Sequence, residues 1–238
     1  MSSLDVARIR AISLDLDDTL WPVWPVIARA EEALCAWLAQ HAPRTAARFP
    51  DGTALRAPLK RLWSERPDLR VDLGALRRES LRLALQASGD DPHLAEAGYA
   101  CFYAARQRVE LFGDALAALE FLAARYPVVA VTNGNADVDA AGVGRFFRAH
   151  LGAARLGFAK PDARIFHAAA DAAGVAPATV LHVGDDALLD VRGALDAGLQ
   201  AAWVNRGAAP WPEDVPPPHA AVPDLRALCA LLGQVASG

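Results

Sequence analysis

The sequence is poor in cysteine and lysine and contains no long apolar run. Its three cysteines, Cys35, Cys101 and Cys229, lie far apart, which argues against a disulfide framework and against a zinc site. No run of 18 apolar residues occurs, so no membrane-spanning helix is predicted. The first ten residues lack the apolar block of a signal peptide. We therefore expect a soluble, cytoplasmic protein with no membrane partner.

The charge balance excludes a further class of partner. The formal net charge is −4, which has the wrong sign for a general nucleic-acid-binding protein. The charge is also uneven, because residues 21–112 hold 13 Lys/Arg against 11 Asp/Glu and the rest of the chain holds 11 against 17. A basic segment beside an acidic one suits an anionic substrate that meets a metal, although solvated helix faces often give such imbalances.

Short apolar runs alternate with helical patterns along most of the chain. The runs lie at 11–16, 128–131, 180–183 and 201–204, with a shorter candidate at 220–222. Helical patterns lie at 115–125, between residue 131 and Lys160, at 165–173, between 184 and 201, and after Asp224. This alternation indicates a parallel sheet that is buried on both faces.

One long segment interrupts the alternation. Between residues 22 and 110 only helical patterns occur, which indicates a separate helical unit of four or five helices. We therefore predict an α/β fold: a doubly wound, Rossmann-like core with parallel strands, formed by residues 1–20 and 113–238, and an inserted all-helical cap at 21–112.

Polar residues follow three of the apolar runs at the point where each run ends. They are Asp15, Asp17, Asp18 and Thr19 after the first, Thr132, Asn133 and Asn135 after the second, and Asp185, Asp186 and Asp190 after the third. In open parallel sheets, ligands bind outside the carboxyl ends of the strands. We expect one site there, which also includes Lys160 at the start of a helix.

The carboxylates of this site indicate a metal. Asp15, Asp17 and Asp185 offer the hard oxygen ligands that Mg²⁺ prefers, and without a cation such a cluster would raise at least one carboxyl pKa. A calcium loop does not fit, because Leu20 occupies the position that requires glycine. The sequence therefore predicts Mg²⁺ as cofactor.

Lysine is rare enough for its position to be informative. The chain has two lysines, Lys60 and Lys160. A compact ammonium suits a place where one charge must touch both a carboxylate and a phosphoryl oxygen, with chance placement as the alternative. Thr132 and Asn133 offer a hydroxyl and an amide to the same phosphoryl group.

Four ordered segments carry a family resemblance. Asp15-Leu16-Asp17-Asp18-Thr19, Val131-Thr132-Asn133, Lys160-Pro161 and Gly184-Asp185-Asp186 through Asp190 resemble the motifs of the haloacid dehalogenase-like superfamily. The resemblance covers the predicted core. It implies a magnesium-dependent phosphomonoesterase that acts through an aspartyl-phosphate intermediate.

The resemblance also implies residue roles. Asp15 is the nucleophile, and Asp17 protonates the leaving alkoxide and then activates water. Thr132 and Lys160 bind the phosphoryl group, with Asn133 and the backbone of Asp18 near it. Asp185 holds Mg²⁺ together with Asp15 and the carbonyl of Asp17, and Asp190 ranks below Asp185 as a ligand. Asp17 favours ester cleavage over halide displacement, because a departing halide needs no proton; mutases remain an alternative.

The resemblance implies a small-molecule phosphate ester as substrate. Longer strings favour FMN or 5-amino-6-(5-phospho-D-ribitylamino)uracil, with phosphoglycolate and sugar phosphates as alternatives. Trp21 and Trp24 are candidates to stack on a flat ring, although packing is the commoner use of such residues. His182 lies in an apolar run and is interpreted as an ordinary core histidine.

Two non-enzymatic alternatives stay open, a phosphoryl-accepting receiver and an inactive binding module. The long helical insert argues against a receiver and the four intact motifs against an inactive protein. Monomer and homodimer are both compatible with the sequence.

Overall fold

The computed structural model describes residues 3–233. Within them the chain forms two compact units. The first runs up to Pro22, resumes from Glu110 to Gly134 and continues from Val138 onward. The second comprises Val23–Val109 and Asn135–Asp137.

The helices and strands of the described residues are as follows. The α-helices are α1 Val23–His41, α2 Pro43–Arg48, α3 Gly52–Glu65, α4 Leu73–Ser88, α5 Ala95–Arg106, α6 Ala115–Ala123, α7 Ala153–Leu156, α8 Ala163–Ala173, α9 Gly193–Asp196 and α10 Leu225–Gly233. The strands are β1 Ala11–Leu14, β2 Val128–Thr132, β3 Ala149–Gly152, β4 Val180–Gly184, β5 Gln200–Val204 and β6 Ala220–Val222. A π-helix spans Ala187–Arg192 and leads into α9. In this part of the chain no helix has both the length and the apolar character needed to cross a bilayer.

The first unit is built on one six-stranded parallel sheet. Its strand order is β3-β2-β1-β4-β5-β6, and every neighbouring pair is parallel. All residues of β1, β2, β4 and β5 are buried, which is why these strands are mostly apolar in sequence. The predicted doubly wound α/β fold is confirmed.

The segment between β2 and Lys160 differs from the prediction. A helix was expected there, whereas the chain forms a 3₁₀ turn at Gly144–Phe146, the strand β3 and the short helix α7. Gly142 adopts a φ of +76°, a left-handed conformation that ends helical structure. The strand β3 lies at the sheet edge and is largely half-exposed, so it carries no continuous apolar run by which the sequence could reveal it.

The second unit contains five helices, α1–α5, around a core of its own. Ala30, Leu34 and Leu38 recur every four residues on one face of α1, which is the spacing of a buried helical stripe. They share a core with Leu85 and Phe102.

Side-chain caps fix the ends of two of these helices. Asp51 and Asp72 accept hydrogen bonds from the first turns of α3 and α4 at 2.8 Å, as N-caps do. Gly89 ends α4 in the left-handed conformation that commonly follows a helix.

The unit boundaries differ slightly from the predicted ones. Trp21, Pro22 and residues 110–112 belong to the first unit, and Asn135–Asp137 to the second. The side chain of Gln107 binds this last segment: it donates to the Asn135 carbonyl at 3.2 Å and accepts from the Asp137 amide at 2.7 Å.

Candidate active site

The candidate site lies where β1 and β4 end. Asp15 directly follows β1, and its amide donates to the carbonyl of Val183 in β4 at 2.9 Å. Ser13 and His182 are register partners in these two strands. Because side chains alternate along a strand, Ser13 and Asp15 point to one face of the sheet, as His182 does from β4.

Lys160 joins two carboxylates at this point. Its Nζ donates to Oδ1 of Asp15 at 2.5 Å and to Oδ1 of Asp190 at 2.6 Å. Burial by itself lowers the pKa of Lys160, but the charges of Asp15 and Asp190 outweigh it and hold this pKa above its usual value. Lys160 is therefore a buried, charged ammonium.

Asn133 holds the backbone of Lys160. Its Nδ2 donates to the Lys160 carbonyl at 2.9 Å, and its Oδ1 accepts from the Lys160 amide at 2.8 Å. These contacts give Asn133 a positioning role that the sequence did not predict, and its contact with a phosphoryl group stays a prediction. Thr132 is buried at the end of β2, and its hydroxyl accepts from the Gly134 amide at 2.9 Å.

Three aspartates converge on this end of the sheet. One oxygen from each of Asp15, Asp185 and Asp190 lies within 4.8 Å of the others. Burial, which Lys160 only partly offsets, raises the pKa of Asp15 well above its ordinary value. Burial, with Asp190 and Asp18 adding to it, raises the pKa of Asp185 to about 7. One ammonium is therefore too little positive charge for these carboxylates.

Asp190 differs from the other two. Its Oδ1 accepts from Lys160 at 2.6 Å and His182 at 3.1 Å, and its Oδ2 accepts from the Asp186 amide at 3.0 Å. Burial raises the pKa of Asp190, but Lys160 and His182 outweigh it and hold this pKa far below the usual range. Asp190 is therefore ionised and already satisfied by N–H donors.

The donor set fits a divalent cation. Asp15 and Asp185 are the carboxylates whose ionised forms are disfavoured, so they gain most from added positive charge. Their oxygens are hard ligands of the kind that Mg²⁺ takes. The structure supports an acidic cluster that could bind a metal, whereas the predicted Mg²⁺ and the Asp17 carbonyl ligand remain proposals.

Trp21 and Asp17 form a contact that the sequence did not predict. The indole Nε1 of Trp21 donates to Oδ1 of Asp17 at 2.7 Å, and Trp21 is fully buried. Its burial and this hydrogen bond fit the packing alternative that the sequence left open, and stacking on a substrate ring stays a prediction. Asp18, also expected near the phosphate, adopts a φ of 59° and donates its amide to the Trp21 carbonyl at 2.8 Å.

Two further residues bind Asp185 and support the site. Thr19 donates to Oδ1 of Asp185 at 3.3 Å, and the Trp203 indole donates to the Asp185 carbonyl at 2.6 Å. Thr19 was expected at this end of the sheet as part of the first motif, but the sequence assigned it no role. No local signal in the sequence links Trp203 to Asp185, because the contact depends on the neighbouring positions of β4 and β5.

Comparison with known proteins supports this picture. A profile of haloacid dehalogenase-like hydrolases matches residues 9–198. The chain is 32% identical to the 5-amino-6-(5-phospho-D-ribitylamino)uracil phosphatase YigB of Escherichia coli, over 84% of this chain and 85% of that protein. It is 34% identical to a phosphoserine phosphatase of Thermus thermophilus, over 92% and 95%.

Among solved structures, the chain resembles a 2-haloacid dehalogenase of Pseudomonas syringae. The TM-score is 0.85 and the sequence identity 35%, with 95% of this chain and 99% of that chain covered. A hydrolase of Bacillus subtilis, YfnB, whose structure was determined bound to magnesium, shares the fold with a TM-score of 0.69 and 20% identity, over 95% and 99%.

Proposed function

The chain belongs to the haloacid dehalogenase-like hydrolases, and on that premise we propose that it is a magnesium-dependent phosphomonoesterase with Asp15 as nucleophile. The observation that carries the proposal is the pair of contacts that hold the two carboxylates proposed to react. Lys160 binds Asp15 at 2.5 Å, and Trp21 binds Asp17 at 2.7 Å. The relatives that are phosphatases support the same reaction class.

In the first half of the reaction, a carboxylate oxygen of Asp15 attacks phosphorus and forms an aspartyl-phosphate. The bond from phosphorus to the ester oxygen breaks, and Asp17 gives a proton to the leaving alkoxide. Lys160 and Thr132 bind phosphoryl oxygens, which carry the charge that phosphoryl transfer must neutralise. Asn133 supports this step by fixing the backbone of Lys160.

In the second half, Asp17 takes a proton from a water molecule, and the resulting hydroxide oxygen attacks the same phosphorus atom. The bond from phosphorus to Asp15 breaks, which releases inorganic phosphate and restores the Asp15 carboxylate. One residue acts as acid and then as base. The Trp21 indole keeps this carboxylate at the site in both halves.

Asp15 and Asp185 would hold Mg²⁺, together with the backbone carbonyl of Asp17. When bound, the ion supplies positive charge to these carboxylates and to the phosphoryl oxygens. The raised pKa values of Asp15 and Asp185 support this assignment, because a nucleophilic carboxylate must be ionised to react.

For the substrate, FMN and 5-amino-6-(5-phospho-D-ribitylamino)uracil are our first choice. The relative from E. coli acts on the second of these, and sequence strings at β1, β2, β4 and β5 resemble that group. Phosphoserine is an added candidate because of the relative from T. thermophilus. Phosphoglycolate and sugar phosphates complete the panel. Catalytic efficiency over the panel, measured by phosphate release, tests the choice; a clear preference for small sugar phosphates would refute it.

Halide displacement is the second candidate function, because a solved structure at 35% identity is a 2-haloacid dehalogenase. An assay of p-nitrophenyl phosphate and 2-chloropropionate, each with Mg²⁺ and with EDTA, separates the two. We expect phosphate release that requires Mg²⁺ and no chloride release. Chloride release without phosphate release would refute the phosphatase assignment.

A further inference from the structure

A buried chain of side chains leads from β1 to the candidate active site. The Ser13 hydroxyl lies 2.8 Å from Nδ1 of His182, and Nε2 of His182 lies 3.1 Å from Oδ1 of Asp190. The same Asp190 oxygen accepts from Lys160, which binds Asp15. Ser13, His182 and Asp190 are each at most 1% exposed. The phosphatase mechanism described above uses neither Ser13 nor His182.

The direction of each hydrogen bond follows from the charge of Asp190. An ionised carboxylate has no proton to give, so Nε2 of His182 must donate to it. Burial lowers the pKa of His182, which favours a neutral ring with a single proton. Nδ1 is therefore the acceptor, and Ser13 must donate to it. Asp190 therefore selects the ring form with its proton on Nε2, and the Ser13 hydroxyl satisfies the remaining acceptor, Nδ1.

The surroundings hold the ring and the carboxylate in place. The Phe166 ring packs edge-on against His182, with centroids 4.9 Å apart and an interplanar angle of 86°. Asp190 packs so closely on β4 that a Cβ at Gly184 would lie 2.3 Å from its Cγ. An apolar residue at position 182 would suit this buried position but would leave Asp190 without one of its three hydrogen-bond donors.

We infer that Ser13 and His182 are positioning residues: Ser13 binds Nδ1 of His182 and holds the ring, and His182 holds Asp190 where it aims Lys160 at Asp15. Lys160 has three N–H bonds, of which two bind Asp190 and Asp15. Fixing these two directions leaves the third for a phosphoryl oxygen. This part of the inference rests on the proposed phosphatase function. His182 is thus more than the ordinary core histidine that the sequence indicated.

Kinetic measurements on two substitutions test the inference. His182→Leu should lower kcat/KM for p-nitrophenyl phosphate by about tenfold to a hundredfold, the usual effect of removing a residue that orients a ligand of the reaction centre. His182→Gln should recover most of this loss, because its amide nitrogen can replace Nε2 as donor. The matched control is His167→Leu, since Nε2 of His167 lies 3.0 Å from the Ala197 carbonyl, outside this chain of contacts.

A double mutant separates positioning from general destabilisation. In an Asp190→Asn background, His182→Leu should cost less than about twofold, because the carboxylate through which His182 acts is gone. If the losses of kcat/KM from His182→Leu and Asp190→Asn instead multiply in the double mutant, the inference is overturned. A His182→Leu variant that unfolds at a lower temperature but keeps kcat/KM within twofold of the wild type would also overturn it.

The position of the ring proton gives a readout that needs no substrate. In ¹⁵N NMR of histidine-labelled wild-type protein, with His182 assigned by its absence from the His182→Gln spectrum, we expect a neutral ring protonated at Nε2. A proton on Nδ1 or a cationic ring would overturn the inference alone. A wild-type protein with this ring form and no activity on any phosphate ester would instead refute the proposed function.

Discussion

The four aspartates near the ends of β1 and β4 differ in the residues that contact them. Asp15 is bound by Lys160 and Asp17 by Trp21. Asp190 is bound by three N–H donors, and its pKa is low, whereas the pKa of Asp185 is raised to about 7. These neighbours support different roles at the scale of the residue: nucleophile, acid/base, fixed counter-charge and metal ligand.

Asp15→Asn should abolish turnover. The amide has nearly the shape of the carboxylate but cannot attack phosphorus, so we expect a loss on the order of 10³-fold or more in kcat. Steady-state hydrolysis of p-nitrophenyl phosphate measures it, with far-UV circular dichroism to show that the variant is folded. A folded variant with activity within tenfold of the wild type would contradict the nucleophile assignment.

Trp21→Phe should impair one class of substrate selectively. The change keeps a buried ring but removes the N–H that binds Asp17. In the proposed mechanism, poor leaving groups depend on a proton from Asp17 and aryl phosphates do not. We therefore expect kcat/KM to fall about tenfold for alkyl phosphates and much less for p-nitrophenyl phosphate.

The matched control for this substitution is Trp211→Phe. The Trp211 indole donates to the Val215 carbonyl at 2.9 Å, so its removal costs a similar hydrogen bond away from the reacting groups. Equal losses on alkyl and aryl phosphates in the Trp21 variant would refute a role for Trp21 in placing the acid.

At the scale of the element, the carboxyl ends of the parallel strands bring the site together. β1 supplies Asp15, β2 leads into the segment that holds Lys160, and β4 leads into the π-helix that carries Asp190. The last residue of β4, Gly184, has no side chain at the point where Asp190 packs against the strand. The close approach of the π-helix to β4 therefore requires glycine.

Gly184→Ala tests this close approach. The added methyl would lie 2.3 Å from Cγ of Asp190, so Asp190 must move and release Lys160. We expect kcat/KM to fall at least tenfold, with a loss of stability of about 1–3 kcal/mol from overpacking. Gly152→Ala at the end of β3 is the control, because its added methyl would meet no atom within 4 Å. A similar loss of kcat/KM from Gly184→Ala and from Gly152→Ala would contradict the conclusion that the approach of Asp190 to β4 requires glycine at position 184.

At the scale of the whole molecule, the fold holds several carboxylates together at one end of a parallel sheet. A raised pKa means that ionisation of Asp185 costs stability. This cost is absent below pH 4, where Asp185 is protonated in both the folded and the unfolded chain. It grows as pH rises, until pH exceeds the pKa of about 7 that Asp185 has in the folded chain. A cation that binds the ionised form offsets it.

Mg²⁺ should therefore raise the unfolding temperature more at pH 8 than at pH 6, where Asp185 is mostly protonated. Differential scanning fluorimetry in EDTA and in Mg²⁺ at both pH values measures this. Asp185→Asn should raise the unfolding temperature in EDTA at pH 8 by roughly 2–4 °C, which corresponds to about 1 kcal/mol for a chain of this size. It should also abolish the response to Mg²⁺. An equal Mg²⁺ effect at both pH values would contradict the assignment of Asp185.

The sequence by itself determined the fold class and indicated the candidate reacting groups. Strands buried on both faces are mostly apolar, so β2, β4 and β5 were visible as short apolar runs and β1 as an alternation of apolar with smaller or polar residues. Helical periodicity revealed the insert. Because ligands bind at the carboxyl ends of parallel strands, the polar residues that follow these runs identified Asp15, Thr132 and Asp185.

Tertiary structure alone decided which side chains support those groups. β3 escaped prediction because an edge strand is only partly buried and its pattern is not continuous. Ser13 and His182 are 169 residues apart and meet only through the register of β1 with β4. For Trp21 the sequence left stacking and packing as alternatives, and only the turn after β1 buries the ring and brings its N–H to Asp17. Composition and spacing describe a single chain segment, whereas a hydrogen bond depends on the distance between two segments, which only packing sets.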